Sequence, residues 1–314
     1  MKTMRIEGAG PALNLQEADA PMPAHGPGEL LIRVHAAGVT PTELKWYPTT
    51  HAKSGELRPH AIPGHEFSGV VEAHGDLVTT FHVGQEVYGM NDWFAEGATA
   101  EYCVTQPGWI APKPARLSHV QAASVPIGAL TAWQGLFERA KLQAGERVLV
   151  HGGAGAVGSF AVQLARQAGA QVFTTASARH QEFLTELGAE QVVDYRAERF
   201  EDLARDMDVV FDTVGGATLL RSWSVLKPEG RLVTIAADGE NAVDERTKAA
   251  FFIVEPSATQ LTEIAHRLDR RELQPFVDAV VPLVRANEAY LERTERRTGR
   301  GKVVIAVVAD FGRF

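Results

Sequence analysis

The stretch RVLVHGGAGAVG, residues 147–158, decides the fold class. It opens with Arg147–His151, a β-branched apolar run of the kind that forms a buried parallel strand. A glycine-rich turn follows at once, and the stretch Val157–Ala168 then has the composition of a helix. A strand, a tight turn and a helix in this order predict the first unit of an α/β domain.

Further apolar runs continue this alternation of strand and helix. Each is short and nearly continuous, as buried parallel strands are, and helix-compatible sequence separates them. The pattern predicts a doubly wound parallel sheet of the Rossmann type. Its further strands are expected at Gln171–Thr175, Gln191–Val193, Asp208–Asp212 and Arg231–Ala236.

The turn itself matches the pattern G-x-G-x-x-G. Gly153 permits the tight turn, Gly155 lets the backbone approach a pyrophosphate, and Gly158 lets helix and strand pack closely. The N-terminus of the helix then offers N–H groups to the phosphates. We therefore predict that Gly153, Ala154, Gly155, Ala156 and Val157 bind a dinucleotide. The alternative is a tight strand–helix turn that binds no ligand.

The end of the second strand indicates which dinucleotide this is. An NAD site usually has an acidic residue there for the ribose 2′-hydroxyl, but this chain has no acid before Glu182. Ser177 and Arg179 would instead bind a 2′-phosphate through charge-assisted hydrogen bonds. The sequence thus favours NADPH, with Arg179 as an ordinary solvated helix residue the alternative.

The part of the chain before this domain has a different character. It is rich in Gly, Pro and His, and turn residues separate short apolar runs at intervals typical of all-β folds. Ser118 is a candidate helix N-cap, and the stretch His119–Ala140 is predicted to be helical. After the α/β region, the sequence predicts a helix at Ala286–Arg297 and a strand at Lys302–Val308.

Composition limits the function classes. The chain has 314 residues and a formal net charge of -8, which disfavours nucleic acid as a partner. The single cysteine, Cys103, excludes an internal disulfide and a multi-thiolate metal cage. No apolar run approaches the roughly 20 residues of a membrane span, so a cytoplasmic protein is expected, without a membrane as partner.

At this point the chain resembles the zinc-independent medium-chain dehydrogenases/reductases, in particular the quinone oxidoreductase (zeta-crystallin-like) branch. The matching stretches occur in family order and span nearly the whole chain. They are VHAAGV at Val34–Val39, IPGHEFSGVV at Ile62–Val71, GATAEYCV at Gly97–Val104, GALTAWQGL at Gly128–Leu136, the glycine turn, LGAEQVVDY at Leu187–Tyr195, DTVGG at Asp212–Gly216 and GKVV at Gly301–Val304.

This resemblance implies an architecture and an activity. It implies a GroES-like β-barrel catalytic domain at residues 1–121, a Rossmann NADP-binding domain at 122–270, and a return segment at 271–314 that completes the catalytic domain. The active site is expected in the cleft between the domains, and a homodimer is expected through the edges of the Rossmann sheets. Relatives reduce quinones, enones or related carbonyl compounds with NADPH.

His65 suggests a metal, because zinc-using relatives ligate zinc through the equivalent histidine. In those relatives, thiolates occupy the positions that align with Thr40 and Ile127, and isoleucine cannot ligate at all. The expectation is therefore that the chain has no metal site, and that His65 is a hydrogen-bonded, partly buried imidazole.

Without a metal, hydrogen-bond donors must stabilise the negative charge that develops on the acceptor. Thr40 is the predicted hydroxyl near the nicotinamide, and Lys45 or Tyr47 is predicted to donate to a substrate oxygen. Relatives carry an asparagine aligned with Thr40 and an aromatic hydroxyl near Lys45, so these departures leave the substrate open. By resemblance, the substrate cleft is lined by Met90, Trp93 and Phe94.

The resemblance also carries over further cofactor contacts. Thr131 would meet the phosphates, Tyr195 would lie near the adenosine phosphate, and Val214 would flank the nicotinamide ribose. Matching positions also place Ile235, Ala236, Phe252, Ile253 and Lys302 around the cofactor.

Three functions are compatible with these patterns. The first is an NADPH-dependent reductase of quinones or of α,β-unsaturated carbonyl compounds. The second, within the same superfamily, is an enoyl or alkenal double-bond reductase or an alcohol dehydrogenase, although the lost zinc thiolates disfavour alcohol dehydrogenation. The third is a non-catalytic protein that senses NADPH.

Overall fold

The computed structural model of the protein describes residues 1–8 and 13–308. The strands are β1 Lys2–Glu7, β2 Asn14–Asp19, β3 Leu30–Gly38, β4 Glu66–His74, β5 Glu86–Met90, β6 Tyr102–Thr105, β7 Ile110–Pro112, β8 Arg147–His151, β9 Gln171–Ala176, β10 Gln191–Asp194, β11 Met207–Asp212, β12 Leu226–Thr234, β13 Val277–Pro282 and β14 Lys302–Ala306.

Most of the α-helices are short. They are α1 Tyr47–Thr50, α2 His119–Ala123, α3 Pro126–Trp133, α4 Gly158–Gln167, α5 Gln181–Glu186, α6 Phe200–Leu203, α7 Gly216–Ser222, α8 Ala237–Glu240, α9 Glu245–Ala250, α10 Ala258–Asp269 and α11 Ala286–Tyr290. Within the described residues, no helix combines the length and the apolar character that crossing a membrane requires.

The chain divides into two units. The first unit contains Met1–Ile127, Pro256–Thr298 and the described residues from Lys302 onward. The second unit contains Gly128–Glu255 together with Gly299–Gly301. The return from the second unit to the first therefore begins at Pro256, earlier than the 271 expected from the sequence, and the first unit extends to Ile127 rather than to 121.

Helix α10 explains the earlier return. It lies with the first unit, where the buried Tyr88 hydroxyl of strand β5 donates a hydrogen bond of 2.6 Å to the Leu261 carbonyl oxygen. Leu261, Ile264 and Leu268 lie on the buried face of this helix. The apolar face of α10 is thus used in the first unit, although the sequence analysis placed these residues in the Rossmann domain.

The second unit contains a five-stranded parallel sheet in the order β10-β9-β8-β11-β12. From β8, the chain adds β9 and β10 on one side and then β11 and β12 on the other side. With right-handed crossovers, this order places helices on both faces of the sheet. The core includes Leu149, Phe173, Val193, Val210 and Leu232. This confirms the predicted doubly wound sheet, and the strand ends where β8 and β11 meet form its topological switch point.

The first unit is built on antiparallel strands and a return pair. Its larger sheet has the order β13-β14-β3-β4-β5-β7, with β6 also paired to β3, and β1 and β2 form a separate hairpin. Strand β14 joins the sheet antiparallel to β3, while β13 pairs parallel to β14. The return segment therefore supplies two strands of this unit.

Candidate functional site

The three glycines of the turn have different surroundings. A Cβ atom on Gly153 would lie 2.1 Å from Thr174 Oγ1, and one on Gly158 would lie 2.2 Å from the Gly152 carbonyl oxygen. Close packing of the turn therefore requires glycine at both positions. Within residues 1–8 and 13–308, a Cβ atom on Gly155 would instead meet only that carbonyl oxygen, at 3.3 Å, and Gly155 is exposed. Its outer side is open to a bound group.

Helix α4 begins beside this opening. It starts at Gly158, and no side chain of the described residues caps its N-terminus. The first N–H groups of a helix lack partners within the helix and lie at the positive end of its dipole, so they favour an anion. Helix α3 also approaches the turn, because a Cβ atom on Gly128 would lie 2.5 Å from the Ala156 carbonyl oxygen. Thr131 follows one turn later on α3 and is buried.

A buried histidine supports the turn from inside. His151 contacts Thr175 Oγ1 through Nδ1 and Ser222 Oγ through Nε2, each at 3.1 Å. Since the Ser222 hydroxyl donates to the Thr218 carbonyl oxygen, it accepts from His151 Nε2–H, and Nδ1 accepts from Thr175. Thr175 Oγ1 in turn accepts the Gly152 N–H at 3.2 Å. Burial lowers the pKa of His151 to about 3, so the ring is neutral.

The residues predicted for the 2′-phosphate lie at the ends of β9 and β10. Ser177 directly follows β9, and Arg179 is exposed, with its Nε donating to the buried His180 Nε2 at 3.1 Å. Tyr195 directly follows β10 and is 56% exposed. Its backbone N–H donates to the Ala176 carbonyl oxygen at 3.3 Å, which brings the two strand ends together.

The ends of β11 and β12 lie at the same edge of the sheet. The buried Asp212 carboxylate accepts the N–H groups of Val214 and Gly215 and the Thr234 hydroxyl. Burial raises the pKa of Asp212, and these three donors oppose the rise. The arrangement holds the turn so that Val214 is 56% exposed at the end of β11.

Four other predicted cofactor residues surround the end of β12. Ile235 and Ala236 directly follow the strand and are half-buried. Phe252 is buried, and its N–H donates to the Thr234 carbonyl oxygen at 3.1 Å, while Ile253 is half-buried. The predicted cofactor residues of the second unit thus cluster at the carboxyl ends of its parallel strands, where ligands of such sheets bind.

Lys302 has different partners, because its ammonium lies in the first unit. It forms a buried ion pair with Glu66 and donates to Thr40 Oγ1 at 3.3 Å. The other Glu66 oxygen accepts the Ile127 N–H at 2.9 Å. Burial raises the pKa of Glu66, and the Lys302 ammonium opposes the rise. Whether Lys302 also contacts a cofactor stays a prediction.

His65 lies deeper than the sequence indicated. It is fully buried, with Nδ1 2.5 Å from Glu43 Oε2 and Nε2 3.2 Å from the Ala95 carbonyl oxygen. Its ring also packs against Trp93 at 5.1 Å between centroids. Among residues 1–8 and 13–308, no three His, Cys, Asp or Glu side chains form a group able to hold a metal ion.

The other predicted catalytic residues lie on the surface of the first unit. Lys45 is exposed. Tyr47 is 53% exposed, and its ring stacks on His51 with centroids 4.1 Å apart. The structure brings Thr40 together with Lys302 and Glu66 rather than with these two side chains. The donor roles of Lys45 and Tyr47 stay predictions.

The predicted lining of the substrate cleft varies in burial. Met90 is fully buried at the end of β5, and Trp93 is 7% exposed and packs edge-on against Trp46. Phe94 is half-buried, with the Lys53 ammonium 5.7 Å from its ring centroid. Trp93 and Phe94 therefore offer more surface than Met90, and their contact with a substrate stays a prediction.

Sequence reasoning missed two polar groups that the fold assembles. The His151 network connects residues of β8, β9 and α7, and the Lys302 cluster connects β4, β14 and the segment after β3. Only one local signal was available for each group. A histidine ends the apolar run before the glycine turn, and a lysine begins the final apolar run.

Comparison with protein families now assigns both parts of the chain. The alcohol dehydrogenase GroES-like domain matches residues 26–115, and the zinc-binding dehydrogenase family matches residues 187–305. A GroES-like domain together with a Rossmann-like parallel-sheet domain defines the medium-chain dehydrogenase/reductase class of fold, as the sequence predicted.

Individual relatives assign the chain to one branch of this class. A human mitochondrial NAD(P)H oxidoreductase is 32% identical over 90% of this chain and 83% of its own. An NADPH-dependent alkenal/one oxidoreductase from Arabidopsis thaliana chloroplasts is 31% identical over 92% and 75%. The structure of a quinone oxidoreductase from Coxiella burnetii superposes with a TM-score of 0.86 at 32% identity, covering 98% of this chain and 99% of that one. The chain belongs to the quinone oxidoreductase-like branch of the medium-chain dehydrogenases/reductases, and it is an oxidoreductase.

The open side of Gly155 gives the first testable prediction. Gly155→Ala places a methyl group within 4 Å of only one atom of the described residues. We therefore expect its free energy of unfolding to change by less than about 1 kcal/mol. Its affinity for a dinucleotide should fall at least about tenfold, because the methyl group blocks the approach of a pyrophosphate. Chemical denaturation and calorimetric titration with NADPH measure the two effects.

Gly153→Ala is the matched control, since its added methyl group would collide with Thr174. It should lose stability as well as affinity. Unchanged NADPH affinity in a folded Gly155→Ala protein contradicts the assignment of this turn to a dinucleotide.

The buried histidine gives the second prediction. The unfolded chain takes up a proton at His151 below about pH 6.5, but the folded chain stays neutral there until about pH 3. His151 therefore makes the folded state lose stability as the pH falls through this window, by up to about 1.4 kcal/mol per pH unit. Denaturant unfolding of the native protein and of His151→Gln, between pH 7 and about pH 5, should give a shallower pH slope for the variant.

His82→Gln is the control, because His82 is exposed and its ring contacts the neighbouring Val83 carbonyl oxygen. Its slope should equal that of the native protein. Equal slopes for all three proteins rule out the neutral, buried state of His151.

Proposed function

We propose that the chain is an NADPH-dependent, zinc-independent oxidoreductase that reduces a quinone or an α,β-unsaturated carbonyl compound. The observation that carries the proposal is the glycine turn. Among the residues that the structure describes, close packing accounts for Gly153 and Gly158 but leaves Gly155 open beside a helix N-terminus without a side-chain cap. A pyrophosphate is the group that uses such an opening, because backbone N–H groups and the helix dipole both favour it.

The choice of NADPH over NADH rests on the end of β9. No carboxylate lies between Gln171 and His180 to bind a ribose 2′-hydroxyl, whereas Ser177 and Arg179 are suited to a 2′-phosphate. Tyr195 lies beside them at the end of β10. One of the relatives is named as NADPH-dependent, which supports the same choice.

The polar cluster of the first unit supplies the proposed acid chemistry. An ammonium only donates hydrogen bonds, so Thr40 Oγ1 accepts from Lys302 and its own hydrogen is directed elsewhere. That hydrogen is the donor we assign to the substrate oxygen, where negative charge develops as the substrate is reduced. Lys302 polarises the hydroxyl, and Glu66 holds the ammonium in place. When bound, the reduced nicotinamide supplies the hydride.

Zinc independence rests on the chemistry of the residues at the positions where zinc-using relatives have ligands. Ile127 has no ligating atom, and the Thr40 hydroxyl is engaged by Lys302. Both ring nitrogens of His65 face protein acceptors, Glu43 and the Ala95 carbonyl oxygen. A catalytic zinc needs three protein ligands, and these residues do not fit one.

The substrate class follows from the relatives. One is named as an NADPH-dependent alkenal/one oxidoreductase, and the similar solved structure is named as a quinone oxidoreductase. Both substrate types accept a hydride and place negative charge on an oxygen. A hydroxyl polarised by an ammonium serves either one.

Assembly and location remain further proposals. We propose a homodimer through the edges of the Rossmann sheets, since β10 and β12 end the five-strand order and so have open edges in the described chain. We also propose a cytoplasmic location, although relatives named as mitochondrial and chloroplastic occur in the same family.

Steady-state oxidation of NADPH with a panel of quinones and enones tests the function. We expect turnover with members of at least one of the two classes. In Thr40→Val, kcat should fall about 100-fold with little change in KM, because the lost hydroxyl acts on charge that develops in the transition state.

Thr80→Val serves as the control for that variant, since Thr80 is an exposed threonine of the same unit. It should retain native kcat. Binding of NADPH without turnover of any acceptor would favour a sensor over an enzyme.

Metal analysis tests zinc independence. We expect the purified active protein to contain far less than one zinc ion per chain, because its residues do not form a three-ligand site. Activity should survive dialysis against a chelator and should not rise when zinc is returned. Stoichiometric zinc, or activity that is lost to the chelator and restored by zinc, disproves this part of the proposal.

A further inference from the structure

One arginine joins two segments of the first unit that carry residues predicted to meet the substrate. The Arg58 guanidinium donates through Nη1 to the Phe94 carbonyl oxygen at 2.8 Å and through Nη2 to the Ala95 carbonyl oxygen at 3.0 Å. Nη2 also lies 2.8 Å from Glu96 Oε1. A longer contact of 3.5 Å joins Nη1 to the Pro48 carbonyl oxygen of helix α1. The guanidinium therefore holds the second of these segments beside the first.

The backbone of Arg58 is itself fixed against the segment of α1. Its N–H donates to the Thr50 carbonyl oxygen at 2.7 Å, and the neighbouring Leu57 forms an antiparallel bridge with His51. The Arg58 side chain is 14% exposed, so protein surrounds most of it. Because a guanidinium is planar and its donors point in fixed directions, anchoring at both ends makes this connection rigid.

The carbonyl contacts contribute more to this rigidity than the ion pair does. The Glu96 side chain is 52% exposed, and an ion pair with a solvated carboxylate contributes little. Hydrogen bonds from a charged donor to carbonyl oxygens are stronger than those between neutral groups. A lysine could keep the ion pair, but it lacks the fork that reaches two successive carbonyl groups. The fork is therefore the feature that arginine supplies at this position.

The segment that Arg58 holds carries two of the predicted cleft residues, Trp93 and Phe94. The Trp93 ring packs against His65 at 5.1 Å between centroids and edge-on against Trp46 at 4.8 Å. Both predicted cleft residues lie at or directly before the carbonyl groups that Arg58 binds. The positions of their rings thus follow from the position of the backbone that the guanidinium fixes.

The Ala95 carbonyl group also connects Arg58 to the polar residues of this unit. His65 Nε2 lies 3.2 Å from the same oxygen, and His65 Nδ1 lies 2.5 Å from Glu43 Oε2. The Glu43 N–H in turn donates to the Thr40 carbonyl oxygen at 3.0 Å. A chain of polar contacts therefore relates the aromatic segment to the residue that we assign as the donor to the substrate.

We propose that Arg58 is a positioning residue for the acceptor, because it fixes the segment 92–96 relative to the segment that begins at Thr40. This inference rests on the proposed reduction of a quinone or an α,β-unsaturated carbonyl compound. A lining that is already ordered costs the acceptor less entropy on binding. The Thr40 hydroxyl has its own support, because Lys302 donates to it. Loss of Arg58 should therefore weaken binding of the acceptor and leave the transfer step almost unchanged.

Steady-state kinetics of the full chain test this role. The acceptor is the member of the panel that the native protein reduces with the highest kcat/KM. In Arg58→Gln, the KM for this acceptor should rise about tenfold, while kcat and the KM for NADPH stay within about threefold of the native values. Arg58→Lys keeps the charge without the fork, so its KM should lie closer to that of Arg58→Gln than to the native value.

Hydrogen exchange measured by mass spectrometry gives a readout that does not need turnover. The Phe94 N–H donates to Asp92 Oδ1, and the Ala95 N–H donates to the Asp92 carbonyl oxygen. In Arg58→Gln, amides of the segment 92–96 should exchange at least about fivefold faster, because this segment is released locally. Amides of strand β3 should exchange at the native rate. Equal acceleration in β3 indicates a general loss of stability and contradicts the positioning role.

Arg285→Gln is the matched control for both measurements. Arg285 is an exposed arginine of the same unit, and its guanidinium binds the Glu288 carboxylate through two nitrogens. It therefore resembles Arg58 in charge and in the use of its fork, but its partner is a carboxylate on the surface. The variant should keep the native KM for the acceptor and the native exchange rates at 92–96.

The outcomes separate this inference from the proposed function. Native turnover combined with an unchanged acceptor KM in Arg58→Gln, or with a fall in kcat at constant KM, overturns the positioning role and leaves the proposed reductase intact. Unchanged exchange at 92–96 also overturns the role. A native protein that reduces no acceptor overturns both proposals. A raised acceptor KM and faster local exchange in Arg58→Gln, with neither change in Arg285→Gln, support the role of Arg58.

Discussion

Close backbone packing at the glycine turn is the constraint on which the second unit depends. A side chain on Gly153 would collide with Thr174 of β9, and one on Gly158 would collide with the turn itself. The absence of these side chains brings β8, β9 and helix α4 together at one point. The His151 network then holds the turn in place, because Thr175 Oγ1 contacts His151 Nδ1 and accepts the Gly152 N–H.

The first unit depends on a different interaction, a buried ion pair. Removing two charges from water is expensive, and an attractive partner offsets the cost only when the remaining polar atoms are also satisfied. Glu66 meets this requirement through Lys302 and the Ile127 N–H, and Lys302 through Glu66 and Thr40. The space is closely filled, since a Cβ atom on Gly38 would lie 2.5 Å from the Glu66 side chain. A pair confined in this way holds the Thr40 hydroxyl at a defined place.

Sequence patterns predicted the elements whose structure depends on neighbouring residues in the chain. Continuous apolar runs placed the parallel strands, and Ser118 caps helix α2 as expected, with Gln121 completing a capping box. The helix predicted at Ala286–Arg297 was wrong beyond Tyr290. Glu292 and Arg296 adopt positive φ angles of 56° and 55°, which a helix cannot contain, although their charge pattern resembles a helix surface.

The candidate site could be predicted only in part, for the same reason. Residues at the ends of consecutive parallel strands meet at one edge of a sheet, so the strand pattern explains why the residues named from the glycine turn, from the end of β9 and from the family resemblance lie close together. The pairing of Lys302 with Glu66 and the contact of Arg300 Nε with His180 Nδ1 join residues far apart in the chain. No spacing rule connects such residues, because strand β14 and the segment before it find their places only through tertiary packing.

Residues 299–301 belong to the second unit, and Gly301 forms a parallel bridge with Gly155 of the glycine turn. This arrangement has a consequence for biosynthesis. Synthesis reaches Glu255 before it reaches Gly301, so the α/β sheet is made before the residue that forms its bridge to Gly155. Strand β3 likewise lacks its neighbouring strand until β14 has been synthesised. Each unit therefore takes part of its final pairing from residues that follow Glu255, and a fragment that ends at residue 255 would lack both the Gly301 bridge and strand β14.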